Sequence, residues 1–406
     1  MICRACQSED LVSVINLGFS PPSNAFLKKE DMMQGEVYYP LRVKICTNCF
    51  LLQTEDFRRA EELFVEDYVY FSSASSSWLK HAEKYCEQIT NKLDLNPESF
   101  VVEIASNDGY LLKNFKNKNI KCLGIEPTIA AAEVAINLGI EVAMDFFTED
   151  FARGLVDKYN KADLIIGNNV YAHVPNINDF TKGLKFLLSD NGTITLEFPH
   201  VLNLIKFNQF DTIYHEHFSY LSLSVVKYLF EKNDMEIYHV EKLTTHGGSL
   251  RVFGCHKTRK QVSNSVSDLI EEEKEFGLFD LSQYQSFEEQ AFKIKFSFLE
   301  LLLEFKRKNL KVVGYGAAAK GNTLLNFCGV GKDLIQYVYD ASKSKQGKFL
   351  PGSHIPVKNP KEIYADKPDV VIIFPWNLSN EILNEYKSLM ENSTEFFTII
   401  PTIKKL

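Results

Sequence analysis

Residues 100–112, Phe-Val-Val-Glu-Ile-Ala-Ser-Asn-Asp-Gly-Tyr-Leu-Leu, decide the fold. Residues 100–104 form a short apolar run of the kind that makes a buried strand. Residues 105–109 are a small-residue turn, and residues 110–112 open a helix. Such a turn brings backbone N–H groups close to a ligand, as in nucleotide-binding folds. Eighteen residues past Asp108, a second strand over 122–125 ends in Glu126, a carboxylate placed to accept hydrogen bonds from a ribose diol. The pattern continues outward. Strands are expected at 140–142, with Asp145 and Phe146 just after, at 162–170 and at 192–197. Between them run helical stretches at 130–138 and 148–158, and a helix over 78–93, broken by Asn96-Pro97, precedes the first strand. The alternation predicts an α/β chain with a doubly wound parallel sheet at its centre.

The rest of the chain sets bounds. It has 406 residues, 45 Lys and Arg against 53 Asp and Glu, a net charge of −8 and 45% hydrophobic residues. That length implies two or three cores, and that composition excludes disorder as the main state. The apolar runs are too short to span a bilayer, and the N-terminus lacks a basic stretch followed by an apolar one. An acidic chain without a basic run gains nothing from counterion release. The expectation is a cytoplasmic monomer that binds neither nucleic acid nor membrane.

Cys3 and Cys6 form one C-x-x-C, and Cys46 and Cys49 another. Two such knuckles within fifty residues can close a tetrahedral site of four thiolates around structural zinc; disulfides or a redox pair are the competing readings. Residues 37–45 alternate like a strand entering the second knuckle. Residues 1–72 carry seven Lys and Arg against eleven Asp and Glu, which disfavours a phosphate-binding finger. Cys86, Cys122, Cys255 and Cys328 read as reduced core residues.

The densest titratable cluster is Tyr214-His215-Glu216-His217. Read as extended chain, His215 and His217 share one face and Tyr214 and Glu216 the other. Metal binding, hydrogen-bonded packing and acid–base chemistry all remain open for it. Further on, His246-Gly247-Gly248-Ser249-Leu250-Arg251 reads as a flexible turn entering a strand, with Arg251 a candidate anion contact. Helices are expected at 266–276 and 287–308. Residues 311–323, Lys-Val-Val-Gly-Tyr-Gly-Ala-Ala-Ala-Lys-Gly-Asn-Thr, look like a second strand, turn and helix; the turn either cradles phosphate or serves packing alone. Strands follow at 335–339, 370–374 and 396–400.

The first turn holds one glycine where a dinucleotide fingerprint needs three. Glu103-Ile-Ala-Ser-Asn-Asp-Gly109 instead resembles the E-x-G-x-G-x-G motif of S-adenosylmethionine-dependent methyltransferases, with Ala105 and Asn107 standing for two glycines. The ordered set C-x-x-C…C-x-x-C, D-Y-x-Y-F-S-S, E-I-A-S-N-D-G-Y-L-L, N-N-V-Y-A-H-V-P, Y-H-E-H-F-S-Y, H-G-G-S-L-R-V and G-Y-G-A-A-A-K-G-N-T resembles, over essentially the whole chain, the nucleotide-sugar C-methyltransferases. That resemblance implies a zinc-binding domain over 1–72, a methyl-donor domain over 73–195 and a Rossmann-like sugar-nucleotide domain over 196–406. It implies His217 as the base, Glu216 orienting it, and Tyr214, His173, Tyr68 and Tyr70 holding a ketone or relaying protons. S-adenosylmethionine falls to Glu103, Ala105, Asn107, Asp108, Gly109, Glu126, Pro127, Asp145, Phe146 and Asn168. A dTDP-, GDP- or CDP-linked keto sugar falls to Ser72, Ser73, His215, Arg251, Gly316, Ala318 and Lys320. An O-methyltransferase and a non-catalytic zinc and nucleotide-sugar binding module are the alternatives.

Overall fold

The computed structural model describes residues 1–57, 71–391 and 393–406. Among them are three sheets. The first is antiparallel, in the order β1 (Leu11–Ser20), β2 (Tyr39–Cys46), β3 (Leu52–Thr54) and, from far along the chain, β9 (Ser219–Tyr220). The second carries the expected nucleotide-type core. After helix α1 (Ser76–Lys92), capped by the Ser75 hydroxyl, come β4 (Phe100–Ile104), β5 (Lys121–Ile125), β6 (Glu141–Ala143), β7 (Ala162–Asn168) and β8 (Leu188–Pro199). All five run parallel, in the spatial order β6-β5-β4-β7-β8. The two central strands, β4 and β7, are buried on both faces along most of their length, as their largely apolar residues require.

The expected boundary at Thr195 is not where this unit ends. Thr195 lies inside β8, and β11 (Ser249–His256) and β10 (Met235–Leu243) add antiparallel strands to the same sheet. β11 pairs with β8 over six residues in unbroken register, so the central sheet runs to His256.

Helix α2 (Ser282–Arg307) leads to a third sheet of β12 (Val312–Tyr315), β13 (Val338–Tyr339), β14 (Val357–Lys358), β15 (Val370–Ile373), β16 (Glu395–Thr398) and β17 (Lys404–Lys405), with helix α3 (Ala319–Cys328) after β12. It is parallel apart from β17.

The N-terminal unit is a wedge between the other two. Val14, Ile15, Leu41 and Val43 share one core with α2 and the third sheet. The Asn16 amide donates to Glu288 Oε1 on α2 at 2.8 Å. Cys3, Ala5, Cys46 and Leu51 belong to the core of the central sheet. A segment with so little apolar interior of its own is stable here because both neighbours complete it.

Candidate active site

At the N-terminal wedge, Cys3 Sγ lies 3.4 Å from Cys49 Sγ and Cys6 Sγ 3.5 Å from Cys46 Sγ. All four sulfurs fall within 4.8 Å of one another. A tetrahedron of thiolates around zinc has edges of about 3.8 Å, so the set fits the metal. Each knuckle closes with a left-handed residue four positions after its first cysteine, Gln7 and Phe50, whose amides donate to the carbonyls of Cys3 and Cys46. With four sulfurs the shell is full, which is a structural and not a catalytic arrangement.

The loop after β4 is where a methyl donor fits. Ala105 and Asn107, the residues standing for glycines, both take left-handed backbone, at φ 55° and 49°. Asparagine tolerates this; for Ala105 it costs about 1–2 kcal/mol. Gly109 is also left-handed, and a Cβ there would lie 2.5 Å from Ile140 Cδ1. Glu126 binds the loop: Oε2 accepts from the Asn107 amide at 2.9 Å and Oε1 from the Thr128 amide and hydroxyl. Any further donor would have to use the lone pairs that remain on that carboxylate.

Three carboxyls converge here. Burial pushes Glu103 well up, with the charges of Asp108 and Glu126 adding to it and a Tyr110 hydrogen bond opposing. Burial likewise raises Glu126, against the hydrogen bonds it accepts. Asp108 Oδ1 and Asn168 Oδ1 are buried without a hydrogen-bond partner. Unused acceptors beside converging carboxyls suit a cation bearing amine and hydroxyl donors, which describes S-adenosylmethionine. Asp145 stands exposed just after β6, accepting from the Phe146 amide, and Pro127 follows β5, at the same end of the sheet.

Ser72 and Ser73, expected at the sugar, lie against the loop after β4. Their amides donate to Asn107 Oδ1 at 2.8 Å and Asp108 Oδ2 at 3.1 Å. Tyr68 and Tyr70 fall outside the described residues.

The histidine segment departs from the extended reading. Residues 214–217 form a turn, with the His217 amide donating to the Tyr214 carbonyl at 2.9 Å. Tyr214 and His217 therefore share a face, and the Tyr214 hydroxyl meets His217 Nε2 at 2.8 Å. His217 Nδ1 faces the Thr212 carbonyl at 2.9 Å. His173 packs edge-on against His217 with ring centroids 4.6 Å apart, and its Nδ1 faces the Glu216 carbonyl at 2.6 Å. His215 has Nε2 3.2 Å from the Pro40 carbonyl and its ring edge-on to Tyr39. The Glu216 carboxylate does not reach the His217 ring. It accepts from the Asn24 amide and side chain, because β9 ties this segment to the N-terminal sheet.

Burial holds the cluster neutral. His217 is pushed well below its ordinary range by burial, with His173, His246 and Lys320 adding to the effect. Burial lowers His173 to about 4, and burial with the Lys320 charge lowers His246 to about 4. His246, unremarked in the sequence beyond its turn, has Nε2 3.2 Å from Asn169 Nδ2 and its ring edge-on to Trp78. Lys320 also belongs to this group, with Nζ donating to Asn377 Oδ1 at 2.8 Å over the Trp376 ring.

Arg251 is not a free anion contact. It is buried, with Nη2 2.9 Å from Glu197 Oε2 and Nη1 3.3 Å from Glu241 Oε2, stacked over Tyr85. The register that pairs Arg251 with Glu197 across β11 and β8 makes the ion pair. In the third sheet, Gly316 is left-handed beneath Pro375, and the Ala317 amide donates to Asp340 Oδ2 at 2.7 Å. Asp340 follows β13 as Glu126 follows β5, so both α/β units bind their first loop by the same device. Ala318 caps α3 without a side-chain hydrogen bond. Lys345, absent from the sequence reading, reaches the Ala317 carbonyl at 2.8 Å.

Three family models match in order: a zinc binding domain over 3–64, a methyltransferase domain over 78–240 and a C-methyltransferase C-terminal domain over 244–401. The chain is 32% identical over 400 residues to the C-methyltransferase NovU of Streptomyces niveus, covering 98% of this chain and 95% of that one. Similar solved structures include an S-adenosylmethionine-dependent methyltransferase from Anabaena variabilis, at 16% identity and a TM-score of 0.40, covering 50% of this chain and 96% of that one. Another is magnesium protoporphyrin IX methyltransferase from Synechocystis, at 12% identity and a TM-score of 0.33, covering 43% and 79%. At 32% identity over 98% of its length to a C-methyltransferase, and with all three domain models in order along it, this chain belongs to the C-methyltransferase family and is an S-adenosylmethionine-dependent enzyme.

Proposed function

We propose that the enzyme methylates C-3 of a nucleotide-linked 4-keto deoxysugar through an enolate, as a step in making a branched sugar. Carbon accepts a methyl cation equivalent only once it is a nucleophile, and a neighbouring ketone makes its C–H bond acidic enough for a side-chain base. His217 Nε2 takes the C-3 proton, the C–H pair becomes the C=C bond of the enolate, and the carbonyl π pair moves to oxygen. When bound, S-adenosylmethionine would supply an electrophilic methyl on positive sulfur, to be met by the enolate C=C pair at C-3 as the carbonyl re-forms, with the methyl–sulfur pair left on sulfur. Tyr214 and His173 orient the ring and pass the proton on. Glu216 acts through Asn24, holding the turn that presents His217.

The observation that carries this reading is His217 itself: buried, neutral, with Nδ1 directed at a carbonyl and Nε2 at a hydroxyl. The nucleotide lies along the turn of Gly316 and Ala318, with Lys345 the cation beside it. The likeness to NovU supports carbon as the methylated atom. No described helix is long and apolar enough to cross a membrane; we read the enzyme as a cytoplasmic monomer.

The test is turnover with dTDP-, GDP- and CDP-linked 4-keto deoxysugars and NMR of each product. A new methyl on C-3 is expected. A methyl on oxygen, or no turnover with any member, overturns the proposal.

A further inference from the structure

We infer that Lys320 supplies the positive charge that stabilises the enolate oxygen, and that Asp211 is the residue that positions it. This rests on the enolate reading above. Three consecutive residues of the short turn before the histidine segment make the argument. The Thr212 carbonyl faces His217 Nδ1 at 2.9 Å. The Ile213 carbonyl accepts from the Thr323 hydroxyl on α3 at 2.8 Å. The Asp211 carboxylate accepts from Trp376 Nε1 at 2.8 Å. Lys320, on the same helix as Thr323, lies with Nζ 4.4 Å from the centre of the Trp376 ring and donates to Asn377, the next residue. One turn thus sets the base, the helix carrying the lysine and the ring under its ammonium in a single register. Trp376 is fixed from the other side by Gly247, where a Cβ would come within 2.3 Å of the ring.

The other candidate cations are occupied elsewhere. Arg251 is paired with Glu197 and Glu241, and Lys345 with the Ala317 carbonyl and Asp340. An ammonium has three protons, and one of Lys320's goes to Asn377. Enolate formation moves negative charge onto an oxygen in a site screened from water, where a placed cation acts more strongly than in solvent. Asp211 is 1% exposed, and its Oδ1 has no hydrogen-bond partner. Its charge opposes the effect of burial, which alone pulls Lys320 toward the neutral amine. The titratable groups around Lys320 are Asp211, His217 and His246, and both histidines are held neutral. The phosphate contact expected for Lys320 gives way to this role.

The experiment measures deuterium wash-in at C-3 from heavy water, steady-state methylation, and the pH profile of kcat for wild type, Lys320→Met, Lys320→Arg and Asp211→Asn. Lys320→Met should lower wash-in and kcat together by about 10²–10³-fold, with KM for the sugar nucleotide and S-adenosylmethionine affinity little changed. Lys320→Arg should recover part of both. Asp211→Asn should move the basic limb of the kcat profile to lower pH, because Lys320 then loses its proton earlier; a purely structural Asp211 would leave that limb in place. Lys320→Met that exchanges deuterium at the wild-type rate, or that is impaired only in KM, overturns the inference while the enolate reading stands. Wild type that neither exchanges nor methylates overturns both. If Lys320→Met fails to fold, Lys320→Arg decides: its basic limb must move to higher pH, and an unmoved limb overturns the inference.

Discussion

The Tyr214 hydroxyl stands 2.8 Å from His217 Nε2, with the two rings tilted across 4.0 Å between centroids. The carbonyl facing Nδ1 can only accept, so the ring proton is on Nδ1 and Nε2 accepts from tyrosine. The basic nitrogen is thus the one directed at the site.

Removing it should stop the chemistry and leave cofactor binding alone. His217→Asn is expected to lower kcat by about 10²–10⁴-fold, with S-adenosylmethionine affinity by calorimetry unchanged. Tyr214→Phe, which removes one hydrogen bond, should lower kcat by about tenfold.

The neutral histidines make stability depend on pH. His173 and His246 sit near 4 in the folded protein against an ordinary 6.5. Between those values the unfolded chain binds more protons than the folded one, so stability rises with pH across that window and is full above it. Melting temperature should fall as pH drops from 6.5 toward 4. His246→Gln should flatten that slope; an unchanged slope would show that His246 does not contribute to it.

Arg251 and Glu197 form a buried pair, so cutting one side strands the other. Arg251→Ala should cost about 3–5 kcal/mol in denaturant unfolding. If the arginine serves structure and not the diphosphate, KM for the sugar nucleotide will hold near its wild-type value in whatever fraction remains folded.

One zinc per chain is expected by elemental analysis, with loss on chelation. Cys46→Ser should lower the metal content and also kcat. The reason lies in β3 and β9: Thr54 Oγ1 donates to the His217 carbonyl at 2.9 Å, and β3 pairs with the strand that follows the histidines. Disturbing the knuckle should therefore loosen the base. Metal loss without any change in turnover would refute that linkage.

Much of this molecule was legible in the chain. The short apolar stretches 100–102 and 164–166 sit in buried parallel strands because such residues satisfy both faces of a sheet. The two C-x-x-C pairs meet because thiolate spacing on a tight knuckle leaves few other arrangements. The loop after β4 keeps its shape with Ala105 and Asn107 because asparagine accepts left-handed backbone and alanine is driven into it by its neighbours.

What only the tertiary structure decided is which partner each polar group found. The spacing of Tyr214, His215, Glu216 and His217 is compatible with a strand or a turn, and long-range pairing with β3 chose the turn. Arg251 and Lys320 look alike on paper as candidate anion contacts. Register across β8 and β11 put Glu197 beside the first, and a turn a hundred residues away put Trp376 and Asp211 around the second. A side chain's chemistry is written in the sequence, but its charge state and its free lone pairs depend on burial and neighbours, and those come from contacts distant along the chain.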